Sequence, residues 1–309
     1  MRILSLFCGA GGMDLGFRKA GHEIVWANDN DPDCVETYRQ NIGNHVILAD
    51  VKTIEPKAIP DGDILIGGFP CQGFSMANLR RSGSDDRNEL YREFLRTLKC
   101  KKPKYFVAEN VKGILSLEGG EVIQKIVDDF EAAGYRVKYK VLNAADYGVP
   151  QSRLRVIIIG TRKDLPSELE PQFPRPTHTK AQWIPVGKAL KGVPDPDMRN
   201  NLPNHVYSRY KVKPRNFTGH RRTDPSKPSP TILARGNGKG GVCALPHPFQ
   251  NRRLSVRESA IMQTFPLDFA FAGKLNSMYR QVGNAVPVLL AQRIAEEFSR
   301  IEKIKGRSR

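Results

Sequence analysis

Two hydrophobic periods alternate along the first 160 residues of the chain. Short apolar, β-branched runs stand at RILSLF (2–7), EIVWA (23–27), HVILA (45–49), DILIG (63–67), KYFVA (104–108), YRVKYKVL (135–142) and RVIIIG (155–160). Between them, DPDCVETYRQNI, ELYREFLRTLK and EVIQKIVDDFEAAG space their apolar residues three and four apart, as one face of a helix does. Strand and helix in repeated alternation predict an α/β fold with a parallel, doubly wound sheet. Only a loop separates the last two strand runs, so they are expected to form an antiparallel edge hairpin.

After Gly160 the texture changes. Residues 164–250 are rich in Pro, Gly, Asn and Arg and lose the helical spacing. They predict a smaller domain of loops and short strands, with RGNGKGG (235–241) its most flexible piece. Helical spacing returns in VPVLLAQRIAEEFSRIEK (286–303), which is expected to pack back on the first domain. The division expected is 1–178 plus 276–309 for the larger domain and 179–275 for the smaller. No internal repeat is present.

Charge sharpens this division. The net charge is +17, but residues 1–160 hold 22 Lys and Arg against 21 Asp and Glu, whereas residues 161–309 hold 27 against 11. Within 199–239 ten basic residues face a single acid, Asp224. A bias confined to one half implies a polyanionic partner, with nucleic acid the obvious candidate. No run of 18 apolar residues suggests a membrane span, and the N-terminus lacks the pattern of a secretory signal, so a cytoplasmic location is expected. The five cysteines (Cys8, Cys34, Cys71, Cys100 and Cys243) are odd in number and have no CxxC pair. That argues against a disulfide framework or a cysteine zinc site, and no metal is expected.

In an open α/β sheet, ligands gather at the carboxyl ends of the strands. The first strand run leads into FCGAGGMDLG (7–16), whose glycines let backbone approach a ligand. The second ends at Asp29, 20 residues beyond Gly9 and suited to ribose hydroxyls, although Asp29 or Asp31 could equally cap the following helix. The third ends at Asp50, the fourth at GGFPC, the fifth at Glu109 and Asn110. Without GKS or GKT a nucleoside triphosphate does not fit, while NAD and S-adenosylmethionine both do. Cys71 lies behind Pro70 in this setting, where a thiolate opposite an acid suits covalent addition to an electron-poor ring or carbonyl. No histidine has a place in the strand-end set, which argues against a Cys–His hydrolase.

The motifs FCGAGGMDLG, GFPCQGFS, ENVKG (109–113), NAADYGVPQSRLRVIIIG (143–160), RRLSVRESAIMQTFP (252–266) and QVGNAVP (281–287) occur in this order. The chain thereby resembles the DNA cytosine-5 methyltransferases of the compact bacterial type, nearly end to end. The resemblance implies the seven-stranded sheet of S-adenosylmethionine-dependent methyltransferases with a smaller, irregular target-recognition domain. It also implies that Cys71 adds to C6 of cytosine, Glu109 holds and protonates N3, and Arg155 binds O2. Arg153 would support the site and Glu109, and Asn110 and Gln72 would orient the catalytic loop.

The same resemblance assigns the cofactor pocket to Phe7, Gly9, Ala10, Gly11, Gly12, Met13, Asn30 and Val51, with Asp29 at the ribose and Asp50 near the adenine. Gly68, Pro70, Leu90, Asn284 and Ala285 would complete it. The target base must leave the stack to react, and residues 74–87, with Ser75, Arg80, Arg81 and Arg87, would close over it and meet phosphates. DNA contacts are further expected from Arg221, Arg222, Thr231, Ile232, Arg235, Asn237, Lys239 and Arg253.

Asn88 stands where the family commonly has Gly, and Ala285 where Ser is frequent. The implied partners are double-stranded DNA and, through a restriction–modification system of a prokaryote or phage, a cognate endonuclease, with the enzyme itself a monomer. A tRNA cytosine methyltransferase, an inactive DNA-binding regulator and an NAD oxidoreductase are the alternatives. Retention of Cys71 and Glu109 speaks against the regulator, and the basic half against the oxidoreductase.

Overall fold

Seven strands form one sheet in the order β3-β2-β1-β4-β5-β7-β6. In this computed structural model, residues 1–69, 89–209, 223–234 and 245–307 are described. The strands are β1 (Arg2–Leu6), β2 (Glu23–Asp29), β3 (Val46–Leu48), β4 (Ile64–Gly67), β5 (Tyr105–Val111), β6 (Tyr135–Asn143) and β7 (Leu154–Arg162). Each coincides with one of the seven apolar runs. The pairs among β1 to β5 are parallel, and β7 runs antiparallel between β5 and β6, so the expected hairpin occupies that edge.

The helices are α1 (Gly12–Lys19), α2 (Pro32–Asn41), α3 (Glu89–Lys101), α4 (Glu121–Ala132), α5 (Val186–Ala189), α6 (Val256–Met262), α7 (Leu275–Asn284) and α8 (Val288–Arg307). Alternation along the buried strands sends side chains to both faces. Ile157 and Ile159 of β7 join Phe17 of α1 and Leu290, Ile294 and Phe298 of α8 on one side. Val156 and Ile158 join Phe94 of α3 and Ile126 and Phe130 of α4 on the other. The carboxyl-terminal helix thus packs back on the sheet. Gly16 permits this, because a Cβ there would lie 2.4 Å from Ala291 Cβ and 2.7 Å from Val288 O.

A separate small core unites Val186, Leu190, Ile232, Leu245, Leu254 and Met262. Phe265, Phe269 and Phe271, within the stretch expected to form the smaller domain, pack with Ala10 and Leu15 near the glycine turn. No described helix is long and apolar enough to cross a membrane.

Candidate active site at the strand carboxyl ends

Strand register sets the site. Leu6 pairs with both Asn28 and Gly67, and Gly67 pairs with Ala108, so these four residues stand in one row across β2, β1, β4 and β5. The next residue on each strand is Asp29, Phe7, Gly68 or Glu109, and these line the rim.

Phe7 has φ 55°, Gly9 54° and Gly11 79°. A left-handed non-glycine such as Phe7 is strained backbone, held here by the turn that follows. The Gly9 N–H donates to Asp29 Oδ2 at 2.7 Å, and the Asp31 N–H donates to Asp29 Oδ1 at 2.9 Å. Asp31 itself caps α2, accepting from Asp33 N at 3.0 Å and Cys34 N at 3.4 Å. The two aspartates therefore divide the roles: Asp31 starts the helix, and Asp29 braces the glycine turn with its carboxyl pKa raised by burial. Nothing lies within 4 Å of where a Gly9 Cβ would point, so the turn is open on that side. Met13 is buried beneath it, and Ala10 packs toward Ala285. Asp50 accepts from Lys52 N at 3.0 Å, Val51 beside it is buried, and Asn30 is exposed. Leu90 lies in the first turn of α3, and Asn284 ends α7 exposed.

Glu109 and Arg155 are both largely buried, and Arg155 Nε lies 2.6 Å from Glu109 Oε1. The N–H does not point along this contact, which is an ion pair rather than a directed hydrogen bond. Arg155 also donates to Leu154 O at 2.8 Å. Gly68 faces the pair, and a Cβ there would come to 3.0 Å from Glu109 Oε2. Asn110 donates to Phe69 O at 3.0 Å and so ties the end of β5 to the last described residue before Pro70. Pro70, Cys71, Gln72, Ser75, Arg80, Arg81, Arg87 and Asn88 lie outside the described residues, as do Arg221, Arg222, Arg235, Asn237 and Lys239.

Two of the expected arginines lie deep in the fold. Arg153 interacts with Glu109 through its charge. It is 1% exposed and donates to Ile232 O at 2.7 Å, Gly283 O at 2.8 Å and Ala285 O at 3.1 Å. Burial, with Arg155 nearby, lowers its pKa to about 9, and the three carbonyls hold its charge. Arg253, expected at DNA, is also 1% exposed. Its neighbours behave alike: Arg252 pairs with buried Glu258 at 2.7 Å, and Arg257 donates to Pro203 O and Pro266 O, each at 2.9 Å. Ser255 and Glu258 also form a capping box at the start of α6. Thr231 donates to Ser152 O at 2.9 Å, which sets the 229–232 segment against the strand that carries Arg155. Gln151 and Gln263, both fully buried beside Arg153, were not among the expected site residues, although Gln151 heads the QSRLR motif.

A profile of C-5 cytosine-specific DNA methylases matches residues 1–300. The chain belongs to this family. It is 40% identical to the type II methyltransferase M.NgoFVII of Neisseria gonorrhoeae, over 96% of the chain and 87% of that relative. It is also 40% identical to M.FnuDI of Fusobacterium nucleatum, over 99% and 97%. Among solved structures, a protein described as a DNA modification methyltransferase encoded within an E. coli prophage superposes with TM-score 0.74 at 24% identity, covering 98% of this chain and 99% of the other. The S. pombe Dnmt2 methyltransferase gives 0.73 at 20% identity with the same coverage. At these identities the structural likeness concerns the fold of the methyltransferase.

Proposed function

We propose that this DNA methyltransferase transfers a methyl group from S-adenosylmethionine to C5 of a cytosine flipped out of duplex DNA, with Cys71 as nucleophile. The Glu109–Arg155 pair, facing Gly68 just before Cys71, is the observation that carries the reading. As the Cys71 thiolate bonds to C6, electron density moves onto the ring. Glu109 protonates N3 and Arg155 binds O2, which neutralises that charge and leaves C5 nucleophilic. S-adenosylmethionine supplies an electrophilic methyl group when bound. Loss of the C5 proton to a base, return of the N3 proton to Glu109 and departure of the Cys71 thiolate restore the ring and the acid.

The cofactor pocket fits on three grounds: a glycine turn open above Gly9, a carboxylate at Asp29 rigidly placed for ribose hydroxyls, and Asp50 at the next strand end. In this reading Thr231 and Ile232 lie near the flipped nucleotide, while the basic loops read the surrounding duplex. The relatives are named type II methyltransferases, so a cognate endonuclease is the expected functional partner.

Bisulfite sequencing of DNA from a host expressing the chain tests the whole reading, with 5-methylcytosine expected in one short sequence context. Methyl label appearing on tRNA and not on duplex DNA would overturn it. Cys71→Ser is expected to abolish turnover and spare cofactor binding, and surviving activity would remove Cys71 as nucleophile.

A further inference from the structure

A buried web of side-chain amides joins the segment at the target to the floor of the cofactor site. Gln151 Oε1 accepts from Ile232 N at 2.9 Å, and its Nε2 donates to Gln263 Oε1 at 2.8 Å and Met262 O at 3.3 Å. Gln263 Nε2 donates onward to Val282 O at 2.7 Å and Ala285 O at 3.1 Å. Arg153 closes the ring by donating to Ile232 O, Gly283 O and Ala285 O. Turning either amide over would set its oxygen against carbonyl oxygens, so both orientations are fixed.

The web therefore holds both backbone groups of Ile232 and the last turn of α7. The segments it joins also touch directly. A Cβ on Gly283 would lie 2.4 Å from Leu233 O and 2.6 Å from Ala234 N. At the other end, a Cβ on Gly12 would lie 2.5 Å from Val286 O and 3.2 Å from Ala285 Cβ, so the chain leaving α7 rests on the glycine turn. A shift of Ile232 must then move the amides, α7 or both, because a close-packed interior passes displacement on.

We infer that Gln263 and Gln151 are positioning residues that couple DNA engagement at 231–233 to closure of the cofactor pocket at Ala285. The inference rests on the proposed function, which puts the flipped nucleotide at the first of these places and the cofactor at the second. Coupling is reciprocal: DNA tightens the cofactor by the same factor by which the cofactor tightens DNA.

The test measures the Kd of S-adenosylhomocysteine with and without a duplex carrying the methylated sequence. Wild type is expected to show a ratio of at least about fivefold, within the usual range for coupled sites. Gln263→Met and Gln151→Met keep the volume and lose the bonds. They are expected to bring the ratio toward one and lower kcat, with cofactor affinity of the free protein changed less than about twofold. A merely structural web would lower the melting temperature and weaken both ligands together with the ratio unchanged, and that result overturns the inference. Hydrogen exchange on the wild type decides independently of any variant: S-adenosylhomocysteine alone should slow exchange at 229–234, and unchanged exchange overturns the inference. A wild type that methylates DNA with a ratio of one sinks the coupling and leaves the function standing. A wild type that neither binds the cofactor nor methylates cytosine sinks the functional reading itself.

Discussion

At the scale of single residues, Glu109 illustrates what a carboxylate at a strand end can be made to do. Its partner Arg155 comes from an antiparallel strand two register pairs away on the same face. Replacing the acid by Glu109→Gln keeps the shape and removes the proton that N3 needs. The expected loss in kcat is on the order of 10²-fold or more, with cofactor Kd unchanged, measured by transfer of labelled methyl to DNA. Equal rates in the two proteins would remove Glu109 as the acid.

Asp14 is the converse case, an acid buried without a ligand to serve. It accepts from Tyr38 Oη at 2.9 Å, its Oδ2 has no partner among the described residues, and burial raises its pKa from 3.8 to about 6. Between these two values the folded protein retains a proton that the unfolded chain has released. Asp14's contribution to stability therefore falls as pH rises from about 4 to about 6, and stays level above. Asp14→Asn is expected to remove that decline and to stabilise the protein at pH 7 by on the order of 1–3 kcal/mol. Urea unfolding of both proteins from pH 4 to 8 checks this, and parallel profiles would refute it. Glu109 was legible in the sequence from its place after a strand. The setting of Asp14 was not, because burial of an acid depends on what packs over the helix.

At the scale of elements, hydrophobic period was enough to find all seven strands and the helices α2, α3 and α4 between them, but not α1, whose sequence reads as a glycine turn. A strand buried on both faces is a continuous apolar run, and a helix between two such strands must show spacing of three and four. What period does not encode is distance of approach. Gly16 looks like an unremarkable residue inside a helix, yet α8 crosses α1 there at backbone contact. Gly16→Ala is expected to destabilise by about 1–3 kcal/mol, since backbone and not a flexible side chain must give way. Chemical denaturation gives the loss, and activity at low temperature should be retained because the contact involves neither Glu109 nor Arg155. A neutral effect on stability would mean that α8 yields without cost. A one-dimensional charge count likewise cannot separate an arginine that faces solvent from one inside the fold, and Arg153, Arg253 and Arg257 are all fully buried.

At the scale of the whole molecule, the uneven charge still requires a partner after those arginines are set aside. Of the excess in residues 161–309, buried Arg252, Arg253 and Arg257 account for only a small part, and Glu258 neutralises Arg252. The remaining cations, Arg221, Arg222, Arg235 and Lys239 among them, belong to the half that follows the sheet. Each phosphate they neutralise releases condensed counterions, so the logarithm of DNA affinity should fall with the logarithm of salt with a slope near −0.9 per contact. For this chain a slope steeper than about −4 is expected in fluorescence-anisotropy titrations between about 50 and 200 mM salt, from at least about five contacts. The double variant Arg221→Gln, Arg222→Gln should reduce the slope by about two and weaken matched and unmatched sequences alike if both side chains meet phosphates. If one of them reads a base, the slope falls by about one and the preference for the methylated sequence narrows. A flat response in wild type would mean that the basic half does not face DNA.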